Sequence, residues 1–192
     1  MISKTLIAFF LSMMMFQACS QADKEYDPMT EKARLDSLIM LHLDDMLLIG
    51  QKDTTPNFVS FSADEIPEDL ATMYNIYKDS TGRISYIAEI PVSQSGDWMA
   101  GFLHYFDPAG RTFAYEEFTN YFGGECSDIN YRTISKYYDT DFQLIKSDFS
   151  FAGEDGEELD PDSCDRFDDW HYIPLPTLDE YLAAHPFNDL IK

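Results

Sequence analysis

The stretch Trp98–Phe122, WMAGFLHYFDPAGRTFAYEEFTNYF, decides the fold. Two aromatic-rich arms flank Asp107-Pro108-Ala109-Gly110. Pro in the second position presets φ for a type I turn, and Gly in the fourth supplies the left-handed residue that lets the second arm leave through a bulge. The stretch therefore predicts a β-hairpin. Similar arms lie on both sides. Met73–Lys78 and Arg83–Val92 flank Asp79-Ser80-Thr81-Gly82, while Ile129–Tyr138 and Gln143–Phe151 flank Asp139-Thr140-Asp141-Phe142. Tyr77, Tyr105 and Tyr137 each stand two residues before a turn Asp, and the first two turns share Asp-x-x-Gly-Arg, 28 residues apart. The third begins 32 residues later, with Phe142 where Gly is expected. One hairpin per repeat, laid side by side, predicts an antiparallel meander of about six to seven strands built from three hairpins.

A helix is expected ahead of this sheet. Asp27 suits an N-cap and Pro28 a first helical position. Leu35, Leu38, Ile39, His42, Met46, Leu47 and Ile49 recur at intervals of three and four, and Gly50 reads as the stop, which predicts an amphipathic helix of about twenty residues. His42 lies on its apolar stripe, the position of a core-edge histidine. Phe58–Phe61 reads as a short strand between loops. After the sheet, Gly153–Asp169 is an acidic loop and Trp170–Pro176 an edge strand ended by prolines. Thr177-Leu178-Asp179-Glu180 is a capping box opening a short helix, which His185-Pro186 ends. The fold class is α+β, with the N-terminal helix packed on one face of the sheet and a short C-terminal helix. Aromatics point to both sides of the central hairpin, so the second face is also covered or binds something.

With 192 residues and 45% hydrophobic content, the chain has material for one core and is short for two domains. The organisation expected is 1–18 signal peptide, 19–27 polar tether and 28–192 a single globular domain. Net charge is −22; removal of the first eighteen residues leaves 12 basic against 35 acidic, or −23. Such a surface repels phosphate backbones and excludes nucleic acid as a partner.

Residues 1–18 run from a charged start at Lys4 through an apolar core, Leu6 to Phe16, to Ala18: an export signal, too short to span a bilayer. Phe16-Gln17-Ala18-Cys19 resembles the lipobox of bacterial lipoproteins, with Phe16 where Leu is usual and Gln17 bulkier than the usual residue. The resemblance covers about the first twenty-five residues. It implies that Cys19 is acylated by palmitate-type chains, becomes the mature N-terminus and holds the protein on the outer membrane. Two or three such chains anchor it effectively permanently. Ser20–Glu25 is then a tether whose Asp23-Lys24-Glu25 cluster resembles export tags of surface-displayed lipoproteins; which face of the membrane it occupies stays open. The Tyr and Asp turns are similar to the tyrosine-aspartate repeats of bacterial surface proteins, although three copies do not carry over that family's shell architecture.

With Cys19 assigned to lipid, Cys126 and Cys164 form an even pair in an oxidising compartment, and a disulfide is expected. The competing reading makes Cys126 a nucleophile with His104 or His171 as base. The acidic loop offers calcium ligands at Asp160, Asp162 and Asp165, against a plain solvated loop, because EF-hand order is absent. His42, His104, His171 and His185 are scattered without a metal-binding spacing, and no P-loop, dinucleotide turn or GxSxG is present. Glu116 and Glu117, adjacent on one arm, point to opposite faces. Two function classes remain: a non-catalytic module binding a protein, peptide or glycan, or assembling with envelope partners, and a small envelope hydrolase using His104, His171 and an acid.

Overall fold

A computed structural model describes residues 26–53, 57–123, 126–162, 164 and 172–191. The signal segment, Cys19 and the tether up to residue 25 lie outside the described residues, as do Asp165, Trp170 and His171. Among the described residues, helix α1 (Pro28–Leu41) precedes eight strands: β1 (Leu47–Lys52), β2 (Phe58–Phe61), β3 (Leu70–Lys78), β4 (Ile84–Pro91), β5 (Trp98–Phe106), β6 (Thr112–Phe122), β7 (Ile129–Tyr138) and β8 (Leu144–Ala152). A second helix, α2 (Leu178–Ala184), follows. The order across the sheet is β2-β1-β3-β4-β5-β6-β7-β8, and the neighbouring strands run antiparallel. The α+β class and the meander of hairpins are as the sequence predicts.

The three expected hairpins share one construction. Asp79, Asp107 and Asp139 each accept, through Oδ1, the backbone N–H groups two and four residues on. Gly82 and Gly110 take φ of 82° and 76°, and opposite Tyr77/Lys78, Tyr105/Phe106 and Tyr137/Tyr138 the outgoing strand carries one extra residue, Ser85, Phe113 and Ile145. Phe142 does what the glycines do: it sits at φ 57°. A left-handed phenylalanine is strained, and its ring offsets this by stacking on Tyr138 with centroids 4.2 Å apart.

Two expectations are corrected. Among the described residues the sheet has eight strands, not six or seven, and the N-terminal helix stops at Leu41 instead of running to Gly50. Both follow from one segment. Leu47-Leu48-Ile49 is an apolar run too short to distinguish helix from strand by period, and pairing with β2 and β3 decides it. Ile49 is wholly buried there. Gly50 is no helix stop: it lies under Leu70, whose side chain occupies the space a Cβ would need. His42 caps α1 instead of lying on its stripe, with Nδ1 3.0 Å from Asp45 Oδ2.

Helix α1 buries Pro28, Lys32, Leu35 and Ile39 against a face built from Tyr77, Tyr86, Ala88, Leu103, Tyr105 and Ala114. The other face carries Ile49, Tyr74, Ile76, Ile87 and Phe106, covered by Tyr181 of α2 and by Phe187. Thr177 caps α2 by accepting from Glu180 N–H, as the capping box predicts. Residues 172–176 are not the expected edge strand. Pro174 and Pro176 lack the N–H a ladder needs, and the segment crosses the open face instead: Tyr172 stacks on Phe102 at 4.2 Å. The segment bonds instead to the start of the interior strand β6, where Thr112 N–H donates to Pro176 O at 2.9 Å and Arg111 bridges Thr177.

Candidate functional site: the cleft between helix and turns

The first two Asp-x-x-Gly-Arg turns and the side of α1 enclose a cleft of about 370 Å³. Its size falls within the range of small-ligand sites. Asp79 forks onto the Arg83 guanidinium, with Nε at 3.1 Å and Nη2 at 2.9 Å, and Asp107 does the same for Arg111. Arg83 Nη1 also reaches the Pro108 carbonyl at 3.4 Å, tying the turns together. Across the cleft, Arg34 forks onto Glu31 at 2.9 and 2.6 Å. The hydroxyl and backbone N–H of Thr81, with Arg83, hold the Asp79 carboxyl down at about 2, so the rim is a set of fixed ion pairs. Tyr77, Leu38 and Phe106 supply apolar wall.

Ser85 stands in the lining. It is the extra residue of the first bulge, opposite neither Lys78 nor Tyr77. Its hydroxyl is buried and has no hydrogen-bond partner among the described residues. Buried hydroxyls without partners are uncommon and call for an explanation. His42 also lines the cleft, but it is bonded to Asp45 and to no serine. The arrangement offers donors to a polar ligand, with no described nucleophile–base pair.

His104 is fully buried, ringed by Tyr115, Tyr172, Tyr181 and Phe106. Neither of its ring nitrogens has a hydrogen-bond partner among the described residues. Burial, with a smaller contribution from His185, pushes its pKa down to about 3. His171, its proposed companion, lies outside the described residues. A histidine beside a carboxylate is found elsewhere: Glu89 Oε2 accepts from Tyr172 OH at 2.9 Å and Tyr181 OH at 3.1 Å, with His185 Nε2 at 3.4 Å. Burial pushes the Tyr181 phenol far up, so it remains a donor to Glu89. These bonds fasten the C-terminal segment to β4.

Cys126 and Cys164 form the disulfide, Cα–Cα 5.6 Å, so Cys126 offers no free thiol. Among the described residues no three His, Cys, Asp or Glu side chains converge as metal ligands. Asp160 accepts Asp162 N–H at 3.0 Å within a local turn, and Asp165 lies outside the described residues. Glu116 and Glu117 do diverge, to Lys32 on the helix side and Arg132 on the other. Among the described residues no helix is long and apolar enough to cross a membrane.

Sequence reasoning missed the cleft itself, although the Arg of the repeated Asp-x-x-Gly-Arg marked one wall. Ser85 and Arg34 carried no sequence signal. Compared with family models, curated proteins and solved structures, the chain matches none.

Proposed function

We propose that this chain is a lipoprotein of the bacterial outer membrane, fastened through acylated Cys19, whose folded domain binds rather than transforms its partner. The ligand is a peptide, a protein segment or a glycan, seated in the cleft between α1 and the first two turns. One observation carries the binding reading: the buried Ser85 hydroxyl has no partner among the described residues, in a cleft also lined by two forked arginines, Arg34 and Arg83. A ligand oxygen or N–H at that place would satisfy the hydroxyl, and the remaining guanidinium N–H groups would orient it. The anchoring reading rests on Phe16–Cys19, and the acidic surface supports exclusion of nucleic acid.

The first test is protease shaving of intact cells beside lysed cells, with Cys19→Ala as the control for attachment. Loss of the protein from intact cells directs the ligand search to extracellular glycans and host proteins; survival until lysis directs it to envelope components. Release of Cys19→Ala into the soluble fraction is expected, and its retention with wild type in the membrane would sink the lipid anchor. For the cleft, NMR titration with peptide and glycan fragments should shift Ser85, Arg34 and Arg83, and Ser85→Ala should weaken binding. Shifts confined to other surfaces would remove the cleft, and turnover of a fragment would favour the envelope hydrolase.

A further inference from the structure

We propose that β8 is a self-pairing edge through which two copies of this chain join their sheets, antiparallel and centred on Ser147. Strand β8 ends the sheet, and residues 144–150 are all exposed along it. Leu144, Ile145 and Phe149 are each 55% exposed, an unusual load for an edge strand, which proteins normally shorten or cover. The opposite edge, β2, is only four residues long.

The free stretch has defined ends. At its start the third turn closes with Asp139 N–H to Gln143 O. At its far end the chain folds back on itself: Gly153 N–H donates to Glu157 O and Leu159 N–H to Phe151 O. These bonds also show that residues 151 and 153 direct their backbone groups away from β7. Alternation along the strand does the same for Phe149 and Ser147. The segment left open, 144–150, has Ser147 at its midpoint.

A segment pairs with its own copy over its whole length only in the two-fold register about that midpoint. In this register Lys146 faces the second copy's Asp148 and Asp148 faces its Lys146, while Ile145, the extra residue of the third bulge, lies beside its Phe149 at the end of the ladder. A lysine on an edge ordinarily blocks pairing; here the register supplies its countercharge, twice. Lys146 and Asp148 already share a face and an ion pair at 2.7 Å within one chain, and both are about half exposed. Pairing adds cross-strand partners without burying an unmatched charge.

A two-fold axis that continues a sheet runs perpendicular to it, so both copies present α1 on the same side. Both tethers then leave toward one surface. That compatibility with a single membrane rests on the Cys19 reading, whereas the pairing itself does not. The net charge of −22 on each copy opposes association, and salt screens the repulsion between charges more than about 8 Å apart at physiological ionic strength, so pairing should strengthen as salt is raised.

The test uses the full chain purified in detergent. Facing Cα atoms of a hydrogen-bonded pair lie about 5.5 Å apart, within disulfide range. Ser147→Cys should therefore give a reducible dimer under mild oxidation, while Ser150→Cys, whose copies would stand about 20 Å apart, should not. Adding Lys146→Glu to Ser147→Cys should cut the dimer about tenfold, as two facing pairs become like-charged, and Asp148→Lys should restore it. Circular dichroism confirms that each variant folds, and the Ser147 and Ser150 comparison stands without any charge change. Equal crosslinking at 147 and 150, no rescue by the charge swap, or capture of a different polypeptide by Ser147→Cys would overturn the proposal.

Discussion

His104 sets up a pH test of the fold. It is wholly buried, without a hydrogen-bond partner among the described residues, and burial holds its pKa near 3 against an ordinary 6.5. The folded chain therefore keeps the ring neutral, while the unfolded chain takes up a proton as pH falls below 6.5. Stability from this group is fully present above pH 6.5 and drains away as pH falls toward 3. Each pH unit in that window is worth about 1.4 kcal/mol, so by pH 5 the loss from His104 alone is about 2 kcal/mol, an order-of-magnitude value. His104→Phe removes the titration and two buried unsatisfied nitrogens while keeping an aromatic ring among Tyr115, Tyr172 and Tyr181. At pH 7 the variant should lie within about 1 kcal/mol of wild type. By pH 5 it should be the more stable by about 2 kcal/mol relative to that starting point. Urea unfolding of both proteins from pH 7.5 to 4.5 measures the difference, in which the contributions of the groups they share cancel. Parallel pH slopes would refute the reasoning, as would an NMR titration of His104 with a midpoint near its ordinary value.

Lys32 is buried beneath α1 with Glu116 at 2.8 Å, Asp36 at 2.9 Å and the Tyr105 ring under its ammonium. Lys32→Met should cost about 2 kcal/mol, less than a fully buried pair because Asp36 remains partly exposed. In thermal unfolding that is a fall of about 4–8 °C. Gly101 lies under the Phe118 ring, which a Cβ would overlap; Gly101→Ala should destabilise by about 1–3 kcal/mol, with partial recovery on adding Phe118→Leu. Reducing Cys126–Cys164 releases a 38-residue separation and should lower stability by about 4 kcal/mol in the loop-entropy view. Denaturation with and without reductant reads this, and a mobility shift between reducing and non-reducing gels should accompany it.

The hairpins were legible because their signals are local. A turn Asp, a Gly in the left-handed position and an aromatic two residues earlier act within a single turn; the Asp and the aromatic recur in all three turns, the Gly in two. Phe142 also shows the limit of the local reading: lacking Gly, its turn still closes because Tyr138 receives the ring. The N-terminal segment was misread for the opposite reason. Residues 46–50 fit a helical stripe as well as a strand, and what settles them is pairing with β3, more than twenty residues away in sequence. Lys32 was likewise invisible as a core residue, since only the nearness of Glu116 on β6 makes its burial favourable.

The candidate site was hidden for a related physical reason. A repeated Asp-x-x-Gly-Arg reads as a turn device, and each copy serves as one: the Asp caps its backbone and clamps its own Arg. A recognition surface arises only when two such turns stand side by side and α1 lays Arg34 across from them. The same register shift that lets β4 leave its turn makes Ser85 the extra residue, and its hydroxyl is left without a partner among the described residues. The cleft therefore shares its parts with the hairpin scaffold, so Asp79→Ala would disturb turn and site together. Ser85→Ala separates them. It removes a hydroxyl that bonds to nothing described in the free protein, so stability should hold or rise, and any loss of ligand affinity then belongs to the cleft and not to the fold.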